Sequence, residues 1–300
     1  MAAAVPIEAV PSLANPEGPQ LISQRQRAIR TFVKNRPAVL GLVLIILITL
    51  IAIFAPYIAP HDPLDQSVRN RLAPPSWEYP LGRDDKGRDI LSRVIFGTRI
   101  ALLVGVFSVL LGGVLGTLIG VAAGYFGGKV ETVLMRITDI LLAFPDLITG
   151  LLVLAVLGPG LEKMILAIGL TIAPRFARIA YGPTLAIKEK EFIDAAKALG
   201  ANSSRLLRLH VLPNISGDLL VFASLWTASA IRLEASLSFV GLGVQPPTPT
   251  WGQMIREGTL YLSDRPLYSL GPGLALLVTV LAFNLIGDGF RDVLDPKARA

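Results

Sequence analysis

From Ile100 to Gly128 the chain carries no Asp, Glu, Lys or Arg. Wound as a helix at about 1.5 Å per residue, such a run exceeds the roughly 30 Å of hydrocarbon in a bilayer. A helix also satisfies its own backbone groups, which lipid cannot do for it. A second charge-free run, Ala38 to Ala55, covers roughly 27 Å and ends at Pro56 and Pro60. A third reaches from about Thr138 to Leu157, carries Pro145 and Asp146, and stops at Gly158-Pro159-Gly160. The fourth, Met164 to Tyr181, is clean only to Pro174, where Arg175 and Arg178 follow. The fifth, about Leu219 to Val244, is interrupted by Arg232 and Glu234, and the sixth lies between Arg265 and Asp288. Charged residues make up 17% of the chain and hydrophobic ones 52%, against about a quarter charged in a soluble domain. The fold expected is an all-α polytopic membrane protein with six transmembrane helices.

Six spans place both termini on one side, and the basic residues choose it. With both termini in the cytoplasm, seventeen of the 28 Lys and Arg fall inside and nine outside, leaving Arg99 and Arg232 at or within spans. That asymmetry favours the N-in, C-in arrangement. The organisation expected is a flexible basic cytoplasmic tail over 1–37 and a first span with its extracytoplasmic loop over 38–98. A core of five helices follows over 99–290, with a large cytoplasmic loop at 182–215, and then a C-terminal tail over 291–300. The first apolar run reads as an uncleaved span, because no small-residue cleavage site follows it. There is no Cys and only two His, His61 and His210, which excludes disulfides, thiolate metal sites and a multi-histidine metal site. The net charge of +6 sits beside apolar spans as a topology signal, so no nucleic acid is expected as a partner.

Gly112, Gly116, Gly120 and Gly124 recur every four residues along one face of the second span. Small residues at that spacing let helix backbones approach closely, and tight helix packing is the reading adopted. Gly127-Gly128-Lys129 fails as a phosphate-binding loop, since Ala123 and Val130 stand where Gly and Ser or Thr are needed. Between the first two spans, the acidic residues of Leu81–Arg93 lack the twelve-residue pattern of a calcium loop. They read instead as a glycine-turned loop entering an amphipathic helix, with Ile90, Leu91, Val94 and Ile95 on one face resting at the membrane surface or against a neighbouring subunit. Trp226 and Trp251 read as packing or interface anchors.

Charges within spans are costly unless they meet another helix or an aqueous path. Arg232 and Glu234 are two residues apart, about 200° around a helix, so they do not easily pair with each other. For each, the expectations are an ion pair to another helix or contact with a solute or gate. Asp146 follows Pro145 at a kink, and Arg175 and Arg178 are expected to snorkel to the interface.

In the loop between spans four and five stands Asp194-Ala195-Ala196-Lys197-Ala198-Leu199-Gly200, with His210-Val211-Leu212-Pro213-Asn214 downstream. It reads as a small-residue helix, a glycine stop in a left-handed C-cap, and a second short helix capped by Asn202 or Ser203 and ended by Pro213. Phe192, Ala195, Ala196 and Leu199 give the first helix a small apolar face among Lys188, Lys190, Lys197, Arg205 and Arg208. The spacing (acidic-Ala-Ala, three residues, Gly, nine residues, apolar or His, one residue, Leu-Pro) resembles the EAA loop of bacterial ABC-importer permeases. Asp194 stands where Glu is more usual. Leu81–Gly105, Glu234–Pro247 and Phe283–Pro296 strengthen the resemblance, which runs from about Ala38 to the C-terminus. It is to the C-type permease subunits of dipeptide/oligopeptide importers, a group that also includes permeases for nickel, glutathione and other small solutes.

The resemblance implies a type I ABC-importer transmembrane domain in the bacterial cytoplasmic (inner) membrane, with cytoplasmic coupling helices. This chain would be a non-catalytic subunit forming half of a channel. Its partners would be a second, B-type permease, two ABC ATPase subunits and an extracytoplasmic solute-binding protein. It would bind no cofactor itself, the ATPases holding ATP and Mg. Asp194, Ala195, Ala196, Gly200, His210, Leu212 and Pro213 would form the ATPase-coupling site. The competing class, an ion-coupled secondary transporter, needs its own ion site and inverted repeats, and neither is evident. An intramembrane enzyme needs a nucleophile–base pair or a metal, and no His or Cys lies in the spans.

Overall fold

The computed structural model describes residues 30–294. Its long elements are α1 (Arg36–Ile53), α2 (Ile90–Phe126), α3 (Gly128–Leu142), α4 (Asp146–Leu157) and α5 (Leu161–Lys188). After them come α6 (Glu191–Ala198), α7 (Ser203–Val240), α8 (Trp251–Thr259) and α9 (Leu267–Leu294). Five of these are long and apolar enough to cross a membrane; α3 and α4 pass the same test only as a pair, bent by 98°, and count as a sixth if the pair is one broken span. Pro145 explains the break, since it donates no N–H and steers Phe144 away from helical geometry.

The glycine spacing of α2 meets a matching spacing in α5. Gly112 faces the carbonyl of Gly169, Gly116 that of Ala173, Gly120 that of Ala177 and Gly124 that of Tyr181. A Cβ on Gly112 would stand 2.5 Å from the Gly169 oxygen, and side chains at Gly116 or Gly120 would overlap the facing backbone outright. The glycines are therefore a contact surface between helices. They make α5 the central helix, with 61% of its apolar window buried against 17% for α7. Around this pair Val104, Leu154, Ile168, Phe176 and Leu237 form the main core.

Three sequence expectations need correction. The segment Ile90–Thr98 is not a surface helix but the first turns of the 37-residue α2. The Asp89 carboxylate starts that helix by accepting from the Ser92 N–H at 2.9 Å and the Ser92 hydroxyl at 2.5 Å. The helix that carries the fifth span begins at Ser203, well before Leu219. Arg175 and Arg178 do not snorkel freely: Arg175 pairs with Asp146 at 2.5 Å, and Arg178 pairs with Asp139. Together with a hydrogen bond from the Tyr181 hydroxyl to Glu131, they pin both halves of the broken span to α5. Of the flexible tail expected over 1–37, residues 1–29 lie outside the described residues, while 30–34 are helical. There Phe32 packs on Phe290 at 5.7 Å, and the Asn35 amide donates to Asp292 at 2.7 Å. The end of the C-terminal tail, 295–300, also lies outside the described residues.

The connections gather at two ends of the bundle. At the cap end, the α1–α2 loop meets α8 and the start of α9. Arg265 donates to the Leu72 carbonyl at 2.6 Å and the Tyr268 hydroxyl to Asp85 at 2.9 Å, while the Trp251 indole donates to the Val94 carbonyl at 3.0 Å. At the loop end lie the close of α2, the start of α3, α6 and the first turns of α7.

Candidate docking loop and intramembrane polar site

The loop-end site is built on α6 and the start of α7. Ile193 is the buried residue of α6. The four residues expected to form its apolar face point away from the chain's own core: Phe192 and Ala195 are exposed, Ala196 is half-buried and Leu199 is 90% exposed. Asp194 is exposed and takes a hydrogen bond from Lys197 at 2.9 Å. Gly200 has φ +85°, and no atom lies within 4 Å of where its Cβ would be. The left-handed backbone, rather than crowding, is what calls for glycine here. The Gly200 N–H donates to the Lys197 carbonyl at 2.9 Å and the Ala201 N–H to the Ala196 carbonyl at 3.0 Å, the paired bonds of a Schellman stop. Asn202 then caps the next helix, accepting from the Arg205 N–H at 2.9 Å.

Pro213 does not end that helix. The chain runs on to Val240, and Leu207–Val211 forms one wide π-type turn immediately before the proline. A proline inside a helix loses one hydrogen bond and crowds the preceding turn, and widening that turn accommodates both. The Asn214 amide donates to the His210 carbonyl at 2.6 Å within the same turn. The His210 ring lies 6.0 Å from Phe192, joining the two halves of the loop. Val211 and Ile215 are buried with Val121 and Ala180, anchoring the loop to the bundle. Leu212 is half-buried and Pro213 exposed. The structure thus brings the Asp194–Gly200 stretch and the His210–Pro213 stretch to one end of the bundle.

The other sequence candidates lie elsewhere. Asp146 pairs with Arg175, whose guanidinium also sits over the Trp226 ring at 4.8 Å. Glu234 is 1% exposed and accepts from the Ser238 hydroxyl at 2.7 Å. Arg232 points to the exposed side of α7 and donates to Ser229 at 3.3 Å. The ion pairs expected for Arg232 and Glu234 are not found among the described residues. The two side chains leave α7 on different faces, as their spacing requires.

A cluster at the cap end escaped the sequence reading. Asp84 (0% exposed) binds Arg88 (1%) at 2.6 Å and lies 3.4 Å from Arg93 (0%). Glu257 stands 3.7 Å from Arg88 and accepts from the Tyr268 hydroxyl at 2.9 Å. The signal was present in the sequence, since the loop carries as many acidic as basic residues. Nothing in the sequence said that the pairing is internal and buried.

A bundle of crossing helices with one broken span, a sealed end and an exposed helix-stop-helix defines the membrane domain of a transporter. Comparison with known proteins makes this specific. Residues 116–300 match the family described as binding-protein-dependent transport system inner membrane component, and residues 23–75 match the N-terminal TM domain of oligopeptide transport permease C. The chain is 39% identical to a dipeptide transport system permease protein of Alkalihalophilus pseudofirmus, over 93% of this chain and 92% of that one. It is 41% identical to a glutathione transport system permease protein of Pectobacterium atrosepticum, over 90% of each. A dipeptide permease of Haemophilus influenzae is also 41% identical, over 89% of this chain and 93% of that one. Among solved structures, an inward-facing MetNI methionine ABC transporter chain shares the fold, with TM-score 0.58 and 20% identity over 69% of this chain and 98% of that one. The chain belongs to the family of binding-protein-dependent transport system inner membrane components. It is a multi-span permease subunit, the non-catalytic part of such a system.

Proposed function

We propose that this permease forms half of the translocation channel of an ATP-driven importer for di- or oligopeptides. Its partners are a second, B-type permease, two ATPase subunits that hold ATP and Mg, and a binding protein that delivers the solute from outside. Both termini and the 182–215 loop lie in the cytoplasm, and the cap end faces out. The observation that carries this reading is the exposed apolar surface of α6 beside a glycine-stopped second helix. A face that the chain does not cover itself is the expected shape of a docking site. The peptide reading draws on the dipeptide permeases matched over about nine-tenths of their length. The glutathione permease matched at 41% supports a second reading, in which the solute is glutathione.

The test has two parts. Compartment-sensitive reporters fused after Lys197 and within 62–80 should give opposite signals, and matching signals sink the orientation. The chain reconstituted with its partner permease, ATPases and binding protein should accumulate a labelled dipeptide in vesicles only with ATP. Uptake by the chain alone, or uptake indifferent to ATP, overturns the importer reading.

A further inference from the structure

Arg232 is a guanidinium without a carboxylate. It lies eight residues inside the Val240 end of α7, about 12 Å along the axis, and no acidic side chain pairs with it among the described residues. It lines a pocket of about 370 Å³ together with Ser236, Phe239, Gly252, Ile255 and Leu276, and none of the residues lining that pocket is acidic. The volume falls in the range of small-molecule sites.

The setting argues for water rather than lipid on this face. Ser229, Arg232 and Ser236 follow one another at three- and four-residue steps, so they share one side of the helix. A charge at that depth turned toward lipid is strongly disfavoured, so such a side faces a bundle interior or an aqueous path. Two other span charges are accounted for differently, Glu234 buried against Ser238 and Arg175 paired with Asp146, while the exposed Arg256, next to the lining residue Ile255, adds a second positive charge beside the pocket. Arg232 uses one donor on Ser229, which leaves most of its planar fork unspent in a pocket with apolar walls. A guanidinium so placed matches a carboxylate in geometry as well as charge.

We infer that Arg232 is a solute-contacting residue that takes the C-terminal carboxylate of the peptide as it passes through the membrane. The inference rests on the peptide reading above. It assigns to this chain a selection step separate from that of the binding protein: a solute with a free carboxylate is drawn to this pocket, and one whose carboxylate is masked is not.

The test uses the whole importer in proteoliposomes, with a dipeptide and its C-terminal amide as probes. Rates are taken per loaded binding protein, with loading measured by equilibrium binding. Arg232→Gln should slow uptake of the free dipeptide about tenfold, the effect of one lost charge-assisted interaction. It should leave uptake of the amide and the ATPase activity stimulated by loaded binding protein unchanged. Arg232→Lys should recover part of the lost rate. Equal losses for both peptides, or a parallel loss of ATPase activity, would show that Arg232 supports assembly or pairs with the second permease, and would overturn the assignment. No loss for either peptide overturns it as well. A wild-type importer that moves neither probe fails earlier and takes down the peptide reading itself.

Discussion

At the cap end, Asp84 holds Arg88 and Arg93 with none of the three more than 1% exposed. At the loop end, Leu199 is 90% exposed and Asp194 finds only Lys197. The sequence composition of the two regions is not what separates them, since both are rich in charge and both contain a glycine turn. The difference is where the partner of each group resides. The cap closes on itself: two arginines, the buried Asp84, the half-buried Glu257 and Tyr268 draw the α1–α2 loop, α8 and α9 together. The loop end leaves its apolar surface and most of its charges unanswered, while the Gly200 and Ala201 N–H groups bond back to α6 and Asn202 caps the next helix. An end that pairs its own charges holds its part of the bundle in register, and an apolar face left uncovered is open to a partner.

The contrast can be broken by mutation, and the largest effect belongs to the cap. Asp84→Ala should leave Arg93 buried without its anion and Arg88 with only the longer contacts to Asp85 and Glu257, a change that costs about 3–5 kcal/mol. The purified chain should show a large fall in its thermal midpoint in detergent. A midpoint within error of wild type would mean that water reaches the cluster and that the cap is no seal.

At the loop end the same kind of change should act on transport rather than on folding. Gly200→Val forces a β-branched residue into φ +85°, at a cost of about 1–2 kcal/mol, and redirects the start of α7. The variant should insert and keep most of its stability, while ATP-driven uptake by the full complex falls at least tenfold. Normal uptake would remove the loop from the coupling path. The smallest effect is expected from Leu199→Ser, whose stability change should stay within about 0.5 kcal/mol because the side chain touches little. Its association with the ATPase subunits, measured by co-purification, should weaken nonetheless. A stability loss without weaker association would place Leu199 in this chain's own core, against the exposure seen here.

Much of this was legible from the residues. Charge-free runs located α1, α2 and α9, because lipid accepts little else. The four-residue glycine spacing announced a helix contact, and its partner stretch in α5 supplied the carbonyls. Gly200 and Asn202 fell in the stop and the cap that their chemistry favours. What stayed hidden depended on contacts distant in sequence. Arg175 and Arg178 looked like interface residues until Asp146 and Asp139 were brought beside them from the two sides of the Pro145 break. Pro213 looked like a terminator, because a sequence does not show that the preceding turn can widen. Ile90–Thr98 looked amphipathic and therefore superficial, whereas α8 covers its other side through Trp251, which lies against Gly97.

The glycine ladder also governs how the length of this chain can vary. Deleting one residue between Gly112 and Gly124 would rotate every later glycine by about 100° and drive a side chain into an α5 carbonyl. An insertion there would do the same with opposite hand. Only a matched change in both helices, at the same level and of the same size, preserves the register, and two independent indels rarely coincide. Natural variants should therefore gain and lose residues in the α1–α2 loop or the tails, while the distance from Gly112 to Gly124 stays fixed. A polymorphism survey would find that interval as invariant in length as a codon reading frame.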